Sequence, residues 1–193
     1  MSFNSVLNNA KAITLIGSRK PPERIANLAV KIGRKLSEKG LIAYSGGASG
    51  MDSHFMFDYH PDLRRIILPE NGFNGLYDNG KDIIDYNRLD VLRAADEARK
   101  VAGNFDSVNE WTQRRYARNT VQLLRETQDN PTDLVLFWAE ERDRCVKGGT
   151  AIAYRLAKLY NVPTFNLLHH STLDEVCETL GINNKLPTLD FLW

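Results

Sequence analysis

The chain has 193 residues, 42% of them hydrophobic, enough to bury roughly 70% of its unfolded surface in one core, so a single domain over residues 1–193 is expected. Its 25 Lys and Arg against 24 Asp and Glu leave a net charge of +1, which excludes the bulk basic field of many nucleic-acid binders; a polyanion has to be held by a local site. No window approaches the roughly 18 apolar residues of a membrane span, and the start lacks the charged and apolar regions of a secretion signal, so a cytoplasmic chain without a membrane partner is expected.

Cys145 and Cys177 lie far apart and in no CxxC pair, which reads as two reduced thiols. His54, His60, His169 and His170 show no metal-ligand spacing, so neither a metal nor a cofactor is expected.

In chain order, an apolar run at 12–16 reads as a strand and ends in the turn Gly17-Ser18-Arg19-Lys20-Pro21-Pro22. Ile25, Leu28, Ala29, Ile32 and Leu36 then repeat at helical spacing, predicting a helix over 23–39 that stops at Gly40. A second strand at 41–45 runs into Ser45-Gly46-Gly47-Ala48-Ser49-Gly50-Met51-Asp52, which opens a helix over 51–58. A third strand is read at 65–68. Residues 69–90 hold three turn signals, Asn71-Gly72, Asn74-Gly75 and Asn79-Gly80, and read as a long loop, either a lid or disordered. Helices over 89–100 and 108–126 follow, then a strand at 134–138. The turn Lys147-Gly148-Gly149-Thr150 opens a helix over 150–160, ahead of a strand at 164–168 and a helix over 173–180. The apolar tail 188–193 is expected to dock on the core or on a partner subunit.

Strand and helix in alternation define the α/β class: a single doubly wound, Rossmann-like domain, with a mostly parallel sheet of about five strands and helices on both faces. With strand order 3-2-1-4-5, the turns after the first, second and fourth strands become neighbours over one crevice at the carboxyl ends of the strands. These are the three glycine-bearing turns. Their glycines let backbone amides approach a ligand, and the helix starts that follow offer unpaired N–H groups and a positive dipole end, so a phosphate is the expected guest. The candidate phosphate contacts are Gly17, Ser18, Arg19 and Lys20 in the first turn, Ser45, Gly46, Gly47, Ala48, Gly50 and Asp52 in the second, and Lys147, Gly148, Gly149 and Thr150 in the third. Cations such as Arg19 and Lys20 at a helix start oppose the dipole unless an anion is present.

Ile16-Gly17-Ser18-Arg19, Ser45 to Asp52, Arg118-Asn119, and Gly148-Gly149-Thr150-Ala151 followed by Ala157 and Val162-Pro163 resemble the Rossmann-like nucleotide-binding superfamily of DNA-processing protein A (DprA/Smf) and the Lonely Guy phosphoribohydrolases. The resemblance runs from about residue 12 to 168, and is nearest to the short, stand-alone DprA-like proteins of bacteria and phages. It implies that Gly17, Ser18, Arg19, Ser45, Gly46, Gly47 and Gly50 contact phosphates, and it raises Arg118 and Asn119 above an ordinary wet helix face. Asp52 reads as a tie between loop and helix, because a carboxylate beside phosphate is repelled unless it accepts N–H bonds.

The departures are specific. The DprA pattern has a His a few residues beyond the Asp, whereas His54 follows Asp52 by two. The Lonely Guy glutamate falls on Arg155 or Ala153, depending on which glycines are aligned, and neither supplies a carboxylate for N-glycosidic cleavage. Glu140 and Glu141 are the candidates to restore one. The reading is therefore a non-catalytic protein, with no catalytic residue assigned, that binds a nucleotide or nucleotide-derived small molecule to sense or sequester it, as a phage sponge for a nucleotide signal would. The alternatives are an N-glycosidic-bond enzyme, either a nucleoside monophosphate phosphoribohydrolase or a nucleoside transferase, and single-stranded DNA binding in the DprA manner. Homo-oligomers are expected, since related proteins commonly dimerise.

Overall fold

A computed structural model describes residues 1–143 and 145–184; the apolar tail 188–193 lies outside them. The elements are α1 (Phe3–Leu7), β1 (Ala12–Gly17), α2 (Glu23–Glu38), β2 (Ile42–Ser45), α3 (Met51–Met56), β3 (Arg64–Leu68), β4 (Ile83–Asp85), α4 (Val91–Val101), α5 (Glu110–Leu124), β5 (Leu134–Trp138), β6 (Glu141–Arg142), β7 (Cys145–Val146), α6 (Thr150–Leu159), β8 (Thr164–Asn166) and α7 (His170–Thr179). The main sheet has six strands in the order β4-β3-β2-β1-β5-β8, every neighbouring pair parallel. Without β4 this is the expected 3-2-1-4-5.

Side chains alternate across the sheet with the two-residue period of a strand. Ile13 and Leu15 of β1 and Leu134, Leu136 and Trp138 of β5 enter one core with α2, α3 and α7, while Ile16, Val135 and Phe137 enter another with α5 and α6. Buried on both faces, the central strands read as the continuous apolar runs that mark a covered parallel sheet. Thr14 is the exception inside β1, and its buried hydroxyl is satisfied by donating to the Gln122 carbonyl at 2.8 Å.

Three short elements escape periodicity. Helix α1 is five residues long, too short for an apolar stripe; Ser2 caps it and Phe3 packs edge-on against Phe165 at 5.1 Å between ring centroids. Strand β4 is three residues long and lies inside the 69–90 segment that the turn signals predict as irregular. That segment is neither open nor structureless. Asn79 Oδ1 accepts from the amides of Lys81, Asp82 and Ile83 to shape the turn, the Arg64 guanidinium holds the buried Asp82 at 2.6 Å, and β4 pairs with β3. Asn74 donates its side-chain amide to the Gly47 carbonyl at 2.9 Å, pinning the segment onto the turn after β2. The third is the β6–β7 hairpin, two residues a side, between β5 and α6.

A candidate phosphate pocket at the carboxyl edge of the sheet

Strands β2, β1 and β5 are adjacent, so the segments that leave their carboxyl ends meet. Gly17 lies opposite Trp138 in the register, and the Ser18 amide donates to the Trp138 carbonyl at 2.8 Å. A pocket of about 340 Å³ opens over this edge. Of the residues expected from the sequence, Gly17, Ser18, Arg19, Ala48, Asp52, Arg118, Asn119, Lys147, Gly148, Gly149 and Thr150 line it.

The floor is polar and buried. Asp52, 5% exposed, accepts from the Gly17 and Gly46 amides, each at 3.1 Å, and so ties the turns after β1 and β2 to α3. Burial pushes its carboxyl pKa up to about 6, against the pull of Arg118 and of the amides of Gly17, Ala48 and Gly46. Arg118, 4% exposed, is held in the charged form by Asp52, yet burial and the nearby Arg115 and Arg19 bring its pKa down to about 10. With the Gln122 amide oriented to suit its neighbours, its Oε1 accepts from Arg118 Nη1 at 2.6 Å and from the Gly46 amide at 2.8 Å. The Arg118 Nε is buried without a hydrogen-bond partner.

The walls and mouth carry charge. Arg115, half-buried, is lowered in pKa by burial and then by Arg19 across the pocket. Arg19, Glu140 and Lys147 are exposed at the rim. Asn119 donates to the Gly149 carbonyl at 2.9 Å, fixing α5 against the turn that opens α6, whose N-terminus has no side-chain cap. The Lys147 amide donates to the Glu140 carbonyl at 3.2 Å, closing the base of the β6–β7 hairpin.

Five expected contacts stand outside the pocket lining. Ser45 is buried and its hydroxyl is spent on the Leu15 carbonyl at 2.7 Å. Gly46 is pressed against Arg118, Gln122 and Asp52, and its amide is already given to Asp52 and Gln122. Gly47, at φ +62°, turns the chain beneath Leu76, Ile66 and Leu68. Gly50, at φ +89°, packs on the backbone of Ser18 and Arg19. Lys20 is exposed and its amide donates to the Ser18 hydroxyl at 3.2 Å. The expected free amides at the start of α3 are likewise engaged, since Met51 donates to the Ser18 carbonyl at 3.0 Å and His54 to Gly50 at 3.0 Å.

Glu140, one of the two carboxylates considered for the crevice, lines the pocket, and Ile16, Arg115, Gln122 and Ala139 line it without being among the expected contacts. The signal for two of them was in the sequence. Residues 115, 118, 119 and 122 are three and four apart, so anything that places Arg118 and Asn119 in a site brings Arg115 and Gln122 to the same helix face. Glu141, the other carboxylate considered, accepts instead from Asn166 at 2.8 Å and pairs with His169 at 3.2 Å, outside the pocket lining. Among the described residues no cluster of three potential metal ligands occurs, and no helix is long and apolar enough to cross a membrane.

These features define a Rossmann-like α/β domain with a cationic pocket at the switch point of its sheet. Residues 4–58 match the family model of DNA recombination-mediator protein A. The structure is similar to that of DNA processing protein A from Helicobacter pylori, a protein described for its single-stranded DNA binding mode, with a TM-score of 0.60, 16% identity, and coverage of 93% of this chain and 83% of that one. No curated protein matches the sequence. The family-model match spans 55 of the 193 residues, and the structural likeness shows a shared fold.

Proposed function

We propose that this protein binds single-stranded DNA by taking a phosphate group of the strand into the pocket. The observation that carries the reading is the buried Arg118, whose Nε has no partner, facing Arg115 and Arg19 with no ion pair at 4.0 Å or less for any of the three among the described residues. After burial, Arg115 and Arg19 lower the pKa of Arg118, and Arg19 that of Arg115; an anion set between these cations is stabilised, and charge-assisted bonds to phosphate are the strong ones. The likeness to the single-stranded-DNA-binding protein of Helicobacter pylori supports DNA as the carrier. Trp111 stands one helical turn before Arg115 on the same face of α5, 37% exposed and tilted against Phe73 at 6.2 Å, which gives the strand a stacking surface beyond the pocket.

A second reading, a protein that senses or sequesters a free nucleotide, is favoured by the pocket's 340 Å³, at the small end of ligand sites, and by the chain's net charge of +1. Fluorescence anisotropy with labelled oligo-dT separates the two. Each neutralised phosphate of a single strand contributes a slope of about −0.7 in log affinity against log salt, so a strand contacted at three phosphates weakens roughly 20-fold between 50 and 200 mM salt. Oligo-dT binding with that slope supports DNA; binding of nucleoside monophosphates with no measurable oligo-dT affinity replaces it with the second reading. Release of free base from a nucleoside monophosphate, abolished by Glu140→Gln, would move the protein to the enzymes.

A further inference from the structure

The pocket has a buried floor and a charged rim. Asp52, Arg118 and Gln122 are 5%, 4% and 2% exposed, while Arg19, Glu140 and Lys147 are open to solvent. An internal phosphodiester reaches such a floor only if the strand enters and leaves through one mouth, whereas a terminal phosphate enters end-on. The charges point the same way. Arg19, Arg115, Arg118 and Lys147 face only the carboxylates of Asp52 and Glu140, an excess of two cationic charges among the lining residues. A phosphodiester carries one negative charge and offers two free oxygens. A phosphomonoester carries about −1.5 to −2 at pH 7 and offers three. Arg118, which lines the floor with its Nε buried and unpartnered, sets its guanidinium charge beneath the deepest of them.

We propose that the pocket is specific for a phosphomonoester, the phosphorylated end of a DNA strand, over an internal phosphodiester. This rests on the reading of the pocket as a phosphate site and names which phosphate it takes. A free nucleoside monophosphate presents the same group, so the strand and the nucleotide are separate arms of the test.

The experiment titrates the protein with five probes at 100 mM salt: oligo-dT with a 5′-phosphate, oligo-dT with a 3′-phosphate, oligo-dT with hydroxyls at both ends, thymidine monophosphate and thymidine. At least tenfold tighter binding of one phosphorylated strand over the unphosphorylated strand, with the preference collapsing in Arg19→Ala, is the expected result. Equal binding of all three strands overturns the preference for an end and leaves single-stranded DNA binding standing. Thymidine monophosphate binding as tightly as the phosphorylated strand, with thymidine silent, upholds the phosphomonoester site and overturns DNA as its carrier. No binding by any probe overturns both.

Discussion

Gly46-Gly47 follow β2 and Gly148-Gly149 precede α6, both at the carboxyl edge of the sheet, and in the sequence they are interchangeable signals. A methyl group added to Gly46 would lie 1.6 Å from Arg118 Nη1 and 2.2 Å from the Gln122 side-chain amide, while one added to Gly148 meets nothing within 4 Å. The first pair is consumed by the protein itself: glycine is needed there so that a buried arginine and an aspartate can close on the backbone. The second pair is left facing the pocket, with the Gly149 carbonyl accepting from the Asn119 side chain and the Ile152 amide. A glycine-rich turn thus admits either a ligand or a neighbouring side chain, and burial decides which.

The largest effect that tests this contrast is Gly46→Ala. No rotation of the new methyl avoids Arg118 and Gln122, which are themselves buried, so overpacking at the upper end of the usual range, about 3 kcal/mol, is expected. For a domain of this size that lowers Tm by roughly 6–12 °C. Gly149→Ala, at a right-handed helical φ of −63°, is expected to change stability by less than about 0.5 kcal/mol. Gly148→Ala falls between, at about 1 kcal/mol, because φ is +73° there. Thermal melts of the three variants in one buffer check the order; a Gly46→Ala protein as stable as the parent erases the distinction.

The sheet order was legible because central strands buried on both faces are apolar throughout and right-handed crossovers leave few arrangements. Strand β4 was not legible: three residues between an Asn79-Gly80 turn and the Asp85 cap of the next turn carry too little pattern, and their pairing with β3 is a tertiary fact. In the site, Arg19 and Arg118 were named, the first from its place before a helix and the second only through family likeness. Gln122 carries a signal only through its place one turn after Arg118 on α5, and its role depends on Gly46 arriving from elsewhere in the chain. For Ser45, Gly46, Gly47 and Gly50 the sequence does not reveal that the Leu15 carbonyl, the Arg118, Gln122 and Asp52 side chains, the apolar side chains of Ile66, Leu68 and Leu76, and the Ser18–Arg19 backbone occupy the space around them.

The next effect sharpens the contrast from the open side. Arg19 is exposed at the pocket rim and makes no ion pair at 4.0 Å or less among the described residues, so Arg19→Ala is expected to leave Tm unchanged. If it bonds a phosphate it contributes about 1.5–3 kcal/mol, a loss of roughly 10- to 150-fold in oligo-dT affinity. Trp111→Ala is expected to weaken oligo-dT by about 1–3 kcal/mol and to leave thymidine monophosphate untouched, since stacking acts on the strand beyond the pocket. Unaltered affinity in Arg19→Ala removes the rim from the binding site, and equal losses for strand and nucleotide in Trp111→Ala remove the stacking surface.

The smallest effect belongs to Asp52, the residue that joins the packed turn to the pocket. Its pKa rises from 3.8 to about 6 on folding, so between those values the folded chain binds the proton more strongly than the unfolded one. Its contribution to stability is therefore greatest below about pH 3.8 and is lost as pH rises through 6. Asp62, Asp78 and Asp82 are lowered instead and act in the opposite sense in acid, which is why the signal lies in the difference between the parent and Asp52→Asn. In binding, protonation removes the negative charge beneath Arg118 and enlarges the cationic excess of the pocket by one. Unphosphorylated oligo-dT, whose diesters do not titrate in this range, is expected to bind a few-fold more tightly at pH 5 than at pH 7. The Asp52→Asn variant keeps one acceptor oxygen for two amides that need it, and so melts lower by about 1–3 kcal/mol. Its oligo-dT affinity should nevertheless be flat across the same pH range; a retained pH response in the variant would assign the titration to another group and separate Asp52 from the ligand.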